Sequence, residues 1–160
     1  MKNYMDVPLS DFQPIDDRVM GGVSRSMATL SENEGLLFTG VVSPENGGGF
    51  CSIRSVDLAI NASPFTHLCV EALGDGKVYS VRLFSGAHID NYAYGAKWCP
   101  SQNQTEQFRY PLNELIPTWR GREMSNAPPL NTSAISSIGF LIGDKQFGEF
   151  LLTITRVWFE

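Results

Sequence analysis

Two arginines lie inside strand-like runs of the sequence, where a charged side chain is unusual. Arg54 shares one face of an alternating segment with Phe50, and Arg82 alternates with apolar residues in a second segment. A guanidinium taken out of water is costly unless it meets an acceptor. The sequence therefore leaves two interpretations open: the arginines line a polar binding pocket, or they form structural salt bridges. The carboxylates considered for such bridges are Asp17, Asp57, Glu71 and Asp90.

Two glycine-rich segments carry polar side chains beside their glycines. Residues 16–24 read Asp-Asp-Arg-Val-Met-Gly-Gly-Val-Ser, and residues 46–54 read Asn-Gly-Gly-Gly-Phe-Cys-Ser-Ile-Arg. Glycine permits positive φ and close approach of the backbone to another group. Both segments lead into strand-like runs, so we interpret them as structured loops. A simple arrangement has them crossing at one end of the fold, where Asp17 and Asn46 would tie loop amides together.

Aromatic residues and planar polar side chains are frequent in the second half of the chain. A sugar site on a β-sandwich combines rings that stack with side chains that form hydrogen bonds. The simpler alternative is that the rings pack in the core or at its rim. The rings are Tyr92, Tyr94, Trp98 and Trp119, and the polar side chains are Asp90, Arg54, Arg82 and Arg120.

The sequence contains no pattern typical of catalysis or of a structural metal site. His67 and His88 have no ligand spacing to a cysteine, and no G-x-S-x-G elbow occurs. Residues 20–22 do not form a phosphate-binding G-x-G-x-x-G loop. Asp16 and Asp17 are adjacent, and neighbours in extended chain diverge, so we do not expect a carboxylate pair. A calcium site made of loop oxygens is a minor alternative.

Short alternating runs predict the elements that position these residues. The predicted strands span residues 23–31, 36–43, 50–56, 66–73, 78–85, 92–98, 106–110, 135–142 and 150–159. Hairpin turns are predicted at residues 32–35 and 74–77, and one helical turn at residues 111–115. Residues 1–15 are predicted to be an irregular lead-in and residues 119–122 a loop. The pattern predicts an all-β sandwich or barrel in a single domain over residues 1–160.

Composition limits the classes of function. The chain has 160 residues, 42% of them hydrophobic and 18% charged, and a net charge of -5. This is typical of a folded protein, and it argues against nucleic-acid binding, which needs a basic face. The sequence has no apolar run of transmembrane length and no secretory signal pattern. An odd set of cysteines without a CxxC pair favours free thiols and a cytoplasmic location; these are Cys51, Cys69 and Cys99.

Five short motifs occur in the order of a known family. Residues 17–24 resemble the D-x-V-M-G-G-x-S signature of the complex I intermediate-associated protein family, and residues 46–54 its N-G-G-F-x-S-x-R motif, with one extra glycine. Residues 119–122 are similar to its R-G element, residues 138–140 to its I-G-F strand, and residues 147–152 to its G-x-F-x-L ending. The resemblance covers about residue 12 to the C-terminus.

The resemblance implies a galactose-binding-domain-like jelly-roll β-sandwich with little helix. It also implies a non-enzymatic assembly factor that acts like a chaperone, with no catalytic residue and no cofactor. The expected partner is a protein client, such as a subunit or assembly intermediate of a respiratory or other membrane complex. The alternative is a carbohydrate- or small-ligand-binding module. The predicted binding residues are Asp17, Met20, Gly21, Gly22, Ser24, Asn46, Gly47, Gly48, Arg54, Arg82, Asp90 and Arg120.

Overall fold

The computed structural model describes residues 3–16, 22–45, 49–55, 57–86 and 92–160. The described residues form thirteen strands, two 3-10 turns (Leu112–Glu114 and Thr132–Ala134) and no α-helix. The strands are β1 (Met5–Asp6), β2 (Phe12–Pro14), β3 (Arg25–Ser31), β4 (Gly35–Val42), β5 (Cys51–Ser55), β6 (His67–Leu73), β7 (Tyr79–Ser85), β8 (Ala93–Trp98), β9 (Glu106–Pro111), β10 (Ile116–Trp119), β11 (Arg122–Glu123), β12 (Ile135–Ile142) and β13 (Gly148–Phe159).

These strands build two antiparallel sheets. The six-stranded sheet has the order β3-β4-β13-β6-β9, and β1 also pairs with β13. The seven-stranded sheet has the order β11-β10-β8-β7-β12-β5-β2. The all-β prediction is therefore confirmed.

The core lies between the inner faces of the two sheets. The period of two places Leu36, Phe38 and Val42 of β4 on one side, and all three are buried. Opposite them, Tyr79 and Phe140 come from the seven-stranded sheet. The Tyr79 ring contacts Phe38 edge-on at 6.3 Å between centroids, so aromatic side chains bridge the two layers. The seven-stranded sheet therefore points its other face away from this core.

One predicted hairpin is correct and the other is wrong. Residues 32–35 join β3 to β4, which pair from Arg25↔Val41 to Ser31↔Gly35. Residues 74–77 instead carry the chain from β6 in the six-stranded sheet to β7 in the seven-stranded sheet. The Asp75 carboxylate holds this crossing, because it accepts hydrogen bonds from the Tyr79 hydroxyl and the Leu151 amide. The composition of residues 74–77 is typical of a tight turn, but the hairpin that it predicts does not form.

Two segments predicted to be irregular contain short strands. The lead-in contributes β1 and β2, at the edges of the two sheets. Residues 119–122 form a tight turn between β10 and β11, with positive φ at Arg120 (50°) and Gly121 (80°). Strands of two to four residues leave too little alternation to be recognised from sequence.

Candidate functional site

A row of register-matched residues crosses the outer face of the seven-stranded sheet. Gln13 of β2 lies opposite Arg54 of β5, and Arg54 lies opposite Gly139 of β12. Gly139 lies opposite Arg82 of β7, which in turn lies opposite Gly95 of β8. The two predicted arginines therefore flank one glycine, with their backbones about 10 Å apart across the sheet.

Glycine at the positions beside the arginines makes room for their side chains. A Cβ on Gly95 would lie 3.1 Å from Cγ of Arg82 and 2.6 Å from the Val81 carbonyl oxygen. A Cβ on Gly139 would lie 3.6 Å from the Phe84 ring and 3.9 Å from Cβ of Arg54. The row thus alternates long cationic side chains with positions that have no side chain.

The Phe84 ring organises the two guanidinium groups. Cζ of Arg54 lies 3.8 Å from the ring centroid, and Cζ of Arg82 lies 5.5 Å from it. Both are cation-π contacts, and the Arg54 contact is close enough to be face-on stacking. Phe84 itself is only 5% exposed. A ring on the outer face of the sheet thus serves as a support for two positive charges.

Both arginines are partly removed from water. Burial, and secondarily the nearby charge of Arg54, lowers the pKa of Arg82 to about 10. Burial also lowers the pKa of Arg54. Nε of Arg82 is buried and has no hydrogen-bond partner in the described part of the chain. At neutral pH both side chains stay charged, so the site is cationic.

No described carboxylate neutralises this pair. The ion pairs among the described residues are Lys77–Asp75, Lys97–Asp144, Arg109–Glu160 and Arg156–Asp6. Of the proposed structural partners, Glu71 instead accepts hydrogen bonds from Gln107 and Thr155. Asp57 is exposed and forms no ion pair with either arginine. Asp17 and Asp90 lie outside the described residues. For Asp57 and Glu71, then, the salt-bridge interpretation is wrong.

A cleft of about 1020 Å³ opens over the Arg54 end of this row. One wall is the segment of residues 57–61, held to the start of β12 by the Leu58 and Ile60 amides, which donate to carbonyls of Ser136 and Ile135. The lining side chains include Gln13, Ile15, Arg54, Asp57, Leu58, Ile60, Phe84, Ser133 and Ser137.

The flanks of the two glycine segments meet at a buried carboxylate. Asp16, 3% exposed, accepts hydrogen bonds from the Ser26 amide (2.9 Å), the Ser26 hydroxyl (2.6 Å) and the Ser52 amide (3.1 Å). Ser26 belongs to the six-stranded sheet and Ser52 to the other, two residues before Arg54. Asp16 therefore joins the sheets beside the cleft.

Comparison with known protein families and proteins identifies relatives of this chain. The family model of Complex I intermediate-associated protein 30 (CIA30) matches residues 4–154. The chain belongs to this family. An uncharacterized protein of Schizosaccharomyces pombe is 27% identical to it over 168 residues, which cover 92% of this chain and 76% of the yeast protein.

Solved structures similar to this CIA30 family member share its fold. The family 11 carbohydrate-binding module from Clostridium thermocellum, in complex with a beta-1,3-1,4-mixed-linked tetrasaccharide, superposes with a TM-score of 0.70 at 10% identity, covering 98% of this chain and 94% of the module. The agarase AgWH50C gives 0.67 at 14% identity, covering 99% and 25%. The fold is a jelly-roll β-sandwich of the galactose-binding-like type, as the family resemblance implied.

The structure brings together part of the predicted binding set. Arg54 and Arg82 share the row over Phe84. Ser24 is buried and accepts a hydrogen bond from the Ser43 amide at 2.8 Å, and Gly22 is also buried. Arg120 is exposed, stacks on Trp119 at 4.7 Å and does not line the cleft. Asp17, Met20, Gly21, Asn46, Gly47, Gly48 and Asp90 lie outside the described residues.

Two of the aromatic residues considered for sugar stacking are in the core. Tyr94 and Trp98 are each 6% exposed, and the Tyr94 hydroxyl donates to the Pro128 carbonyl. The ring that supports the arginines is Phe84, which sequence reasoning did not select. Phe84 can be identified from the sequence, because it lies two residues after Arg82 and therefore on the same strand face. The sequence does not predict the role of Asp16, because its partners Ser26 and Ser52 are distant in the chain.

The described residues contain neither a metal-binding group nor a membrane-spanning helix. Across residues 3–16, 22–45, 49–55, 57–86 and 92–160, no three or more His, Cys, Asp or Glu side chains are placed to hold a metal ion. Within the same ranges, no helix has the length and apolar character to cross a membrane.

Proposed function

We propose that this chain is a non-enzymatic, protein-binding assembly factor that acts like a chaperone on a subunit or intermediate of a membrane complex of the respiratory complex I type. Membership of the CIA30 family over residues 4–154 is the observation that supports this most directly. The binding surface in this proposal is the outer face of the seven-stranded sheet around Arg54, Arg82 and Phe84. A partly desolvated pair of arginines beside a cleft suits recognition of a partner better than a structural role.

The test is crosslinked affinity purification of the tagged protein from its native cells, read by mass spectrometry. We expect the wild type to enrich subunits of one multi-subunit complex, and Arg54→Ala to lose them. Arg122→Ala is the matched control, because Arg122 is an exposed arginine at the far edge of the same sheet. Enrichment of nothing beyond the bait, or equal enrichment by wild type and Arg54→Ala, would contradict the proposal.

The second candidate is a carbohydrate-binding module, and the structural likeness to such modules favours it. Its test is calorimetry with the mixed-linked beta-1,3-1,4 tetrasaccharide and an agarose oligosaccharide. Saturable binding that Arg54→Ala abolishes would support this candidate over the assembly factor. No heat and no thermal shift with either sugar would leave the protein-binding proposal in place.

We also propose a cytoplasmic location. Among the described residues no disulfide joins Cys51, Cys69 and Cys99, which is the usual state in a reducing compartment. Fractionation of native cells with an antibody against the chain tests this, and recovery from the medium or an oxidising compartment would contradict it.

A further inference from the structure

We propose that Arg54 and Arg82 form an oxyanion site that receives the carboxylate of an aspartate or glutamate side chain on the client polypeptide. This inference rests on the proposed protein-binding function and names the chemical group recognised. It starts from a pair of like charges on one sheet face that no described carboxylate neutralises.

The sheet is built to hold the two guanidinium groups side by side. Gly139 separates Arg54 and Arg82 in the register, and the Phe84 ring comes to 3.6 Å from where a Cβ on Gly139 would lie. Gly95, on the other side of Arg82, gives the Arg82 side chain room that any larger residue would occupy. Two arginines that flank one position and contact the same ring can both donate to a two-oxygen acceptor.

One donor of this site lacks an acceptor, and the other guanidinium is stacked on a ring. Nε of Arg82 is buried and lacks an acceptor among the described residues. The Arg54 guanidinium is stacked on Phe84 at 3.8 Å. Stacking occupies the face of the guanidinium and leaves its N–H groups directed outward in the plane, which is the arrangement that binds a carboxylate with two hydrogen bonds.

The electrostatics favour arrival of an anion. Each cation has lost part of its hydration and repels the other, so the unliganded pair is unfavourable. A carboxylate between them would relieve both effects at once. The chain carries a net charge of -5, so its overall charge does not attract an acidic partner, and the attraction at this site comes from the arginine pair.

The aromatic residues at the site favour a polypeptide carboxylate over a sugar. A sugar platform needs an open ring face, whereas Phe84 is 5% exposed and is covered by Arg54. Tyr94 and Trp98, on the neighbouring strand β8, are buried. The described part of the site thus offers guanidinium hydrogen-bond donors, whereas its aromatic rings are covered or buried.

The direct test follows the Nε–H resonances of Arg54 and Arg82 by NMR at constant ionic strength. The probes are the amide-capped N-acetyl derivatives of glutamate and glutamine, with glucuronate as a third ligand. We expect saturable shifts with the glutamate probe, binding about tenfold or more weaker with the glutamine probe, and loss of the response in Arg82→Met. Equal response to the first two probes would overturn the proposal, as would tighter binding of glucuronate.

A second measurement separates a ligand site from an internal ion pair. If the pair awaits an external carboxylate, Arg82→Met keeps or raises the melting temperature, because an apolar side chain replaces a desolvated charge. Arg122→Met, at an exposed position, should leave both melting temperature and probe binding unchanged. A clear fall in melting temperature for Arg82→Met would overturn the proposal. So would movement of the Arg82 Nε–H resonance in Asp17→Asn or Asp90→Asn without ligand.

Client capture distinguishes failure of this inference from failure of the proposed function. If wild type and Arg82→Met enrich the same complex equally, the oxyanion inference is wrong and the assembly-factor function stands. If the wild type enriches no complex at all, the proposed function fails and the client assignment fails with it, whatever the probes show.

Discussion

Asp16 joins the two sheets at the level of a single residue. Its carboxylate accepts two hydrogen bonds from Ser26 in one sheet and one from the Ser52 amide in the other. The bond to Ser52 also fixes the strand that carries Arg54 two residues later. A buried carboxylate with several donors stabilises a fold mainly because its loss leaves those donors without partners.

Asp16→Asn should lower the free energy of unfolding by about 1–3 kcal/mol. An amide keeps one acceptor oxygen but turns its NH₂ group toward a donor that the second carboxylate oxygen accepted. Chemical denaturation of wild type and variant measures the difference. Asp11→Asn is the control, because Asp11 is exposed with φ of 64°, which asparagine tolerates, and should change stability by less than about 0.5 kcal/mol. Equal effects at the two positions would contradict this account.

The residues that sequence reasoning found and missed differ in a physical way. Arg54 and Arg82 stand out because a charge inside an alternating strand is locally unusual. Asp16 has no local signal, since its partners are 10 and 36 residues away. Phe84 looks like an ordinary strand residue until the register places it under Arg54. Contacts between residues that are distant in the sequence determine the roles of Asp16 and Phe84. A local sequence pattern does not reveal such contacts.

At the scale of the element, strands β8 and β12 contribute glycines to the row of register-matched residues on the outer face of the seven-stranded sheet. Gly95→Ala should lower the free energy of unfolding by about 1–3 kcal/mol, because its Cβ would lie 2.6 Å from the Val81 carbonyl oxygen. Gly143→Ala is the matched control, since its Cβ would meet nothing nearer than 3.6 Å. Thermal and urea unfolding of the pair test this. A Gly95→Ala variant as stable as Gly143→Ala would show that the sheet adjusts freely.

Tyr110 of strand β9 makes the free energy of unfolding depend on pH in the alkaline range. Burial raises the pKa of Tyr110 to about 12 from an ordinary value near 10. The folded state favours the neutral phenol, so this contribution is fully present below pH 10 and is lost as pH rises to about 12. Tyr110→Phe should therefore reduce the loss of melting temperature over that range. A variant whose melting temperature falls as steeply as that of the wild type would contradict the assignment. Tyr79, whose pKa burial also raises, adds to the slope in both proteins.

The segment of residues 74–77 is the element for which the predicted hairpin is wrong. Its composition is that of a tight hairpin, yet β6 and β7 lie in different sheets. The Asp75 carboxylate accepts from the Tyr79 hydroxyl and the Leu151 amide, and these tertiary contacts favour a crossing over a hairpin. Local turn chemistry predicts that the chain reverses, but it does not determine which strand is met afterwards.

At the scale of the whole molecule, the three cysteines report on unfolding. Cys99 is exposed, whereas Cys51 and Cys69 are 0% and 1% exposed. Burial, assisted by Glu160, also raises the pKa of Cys69 to about 12, which disfavours the reactive thiolate. A thiol reagent should therefore modify one equivalent rapidly and two only as the protein unfolds. Cys99→Ser should remove the rapid phase and leave the slow one. Two or more rapid equivalents would show that the sandwich opens locally.

Most of the architecture could be predicted because it depends on alternation. The nine longer strands were found within a few residues of their bounds, and the inner faces of β4, β5 and β7 follow the period of two. The short strands β1, β2, β10 and β11 were missed, since they have too few residues to show a period. The division into two sheets and the row that joins Arg54 to Arg82 depend on pairing between distant residues.

The position of β13 determines when the chain can fold during synthesis. β13 forms the centre of the six-stranded sheet, between β4 and β6, and it also pairs with β1 across some 150 residues. The ribosome makes β13 after β4 and β6, so these two strands stay without their common neighbour until β13 has left the exit tunnel. Until then, the apolar faces of a nascent chain are open to other binders. A protein that we propose to bind incompletely assembled complexes thus passes through an incompletely folded state during its own synthesis.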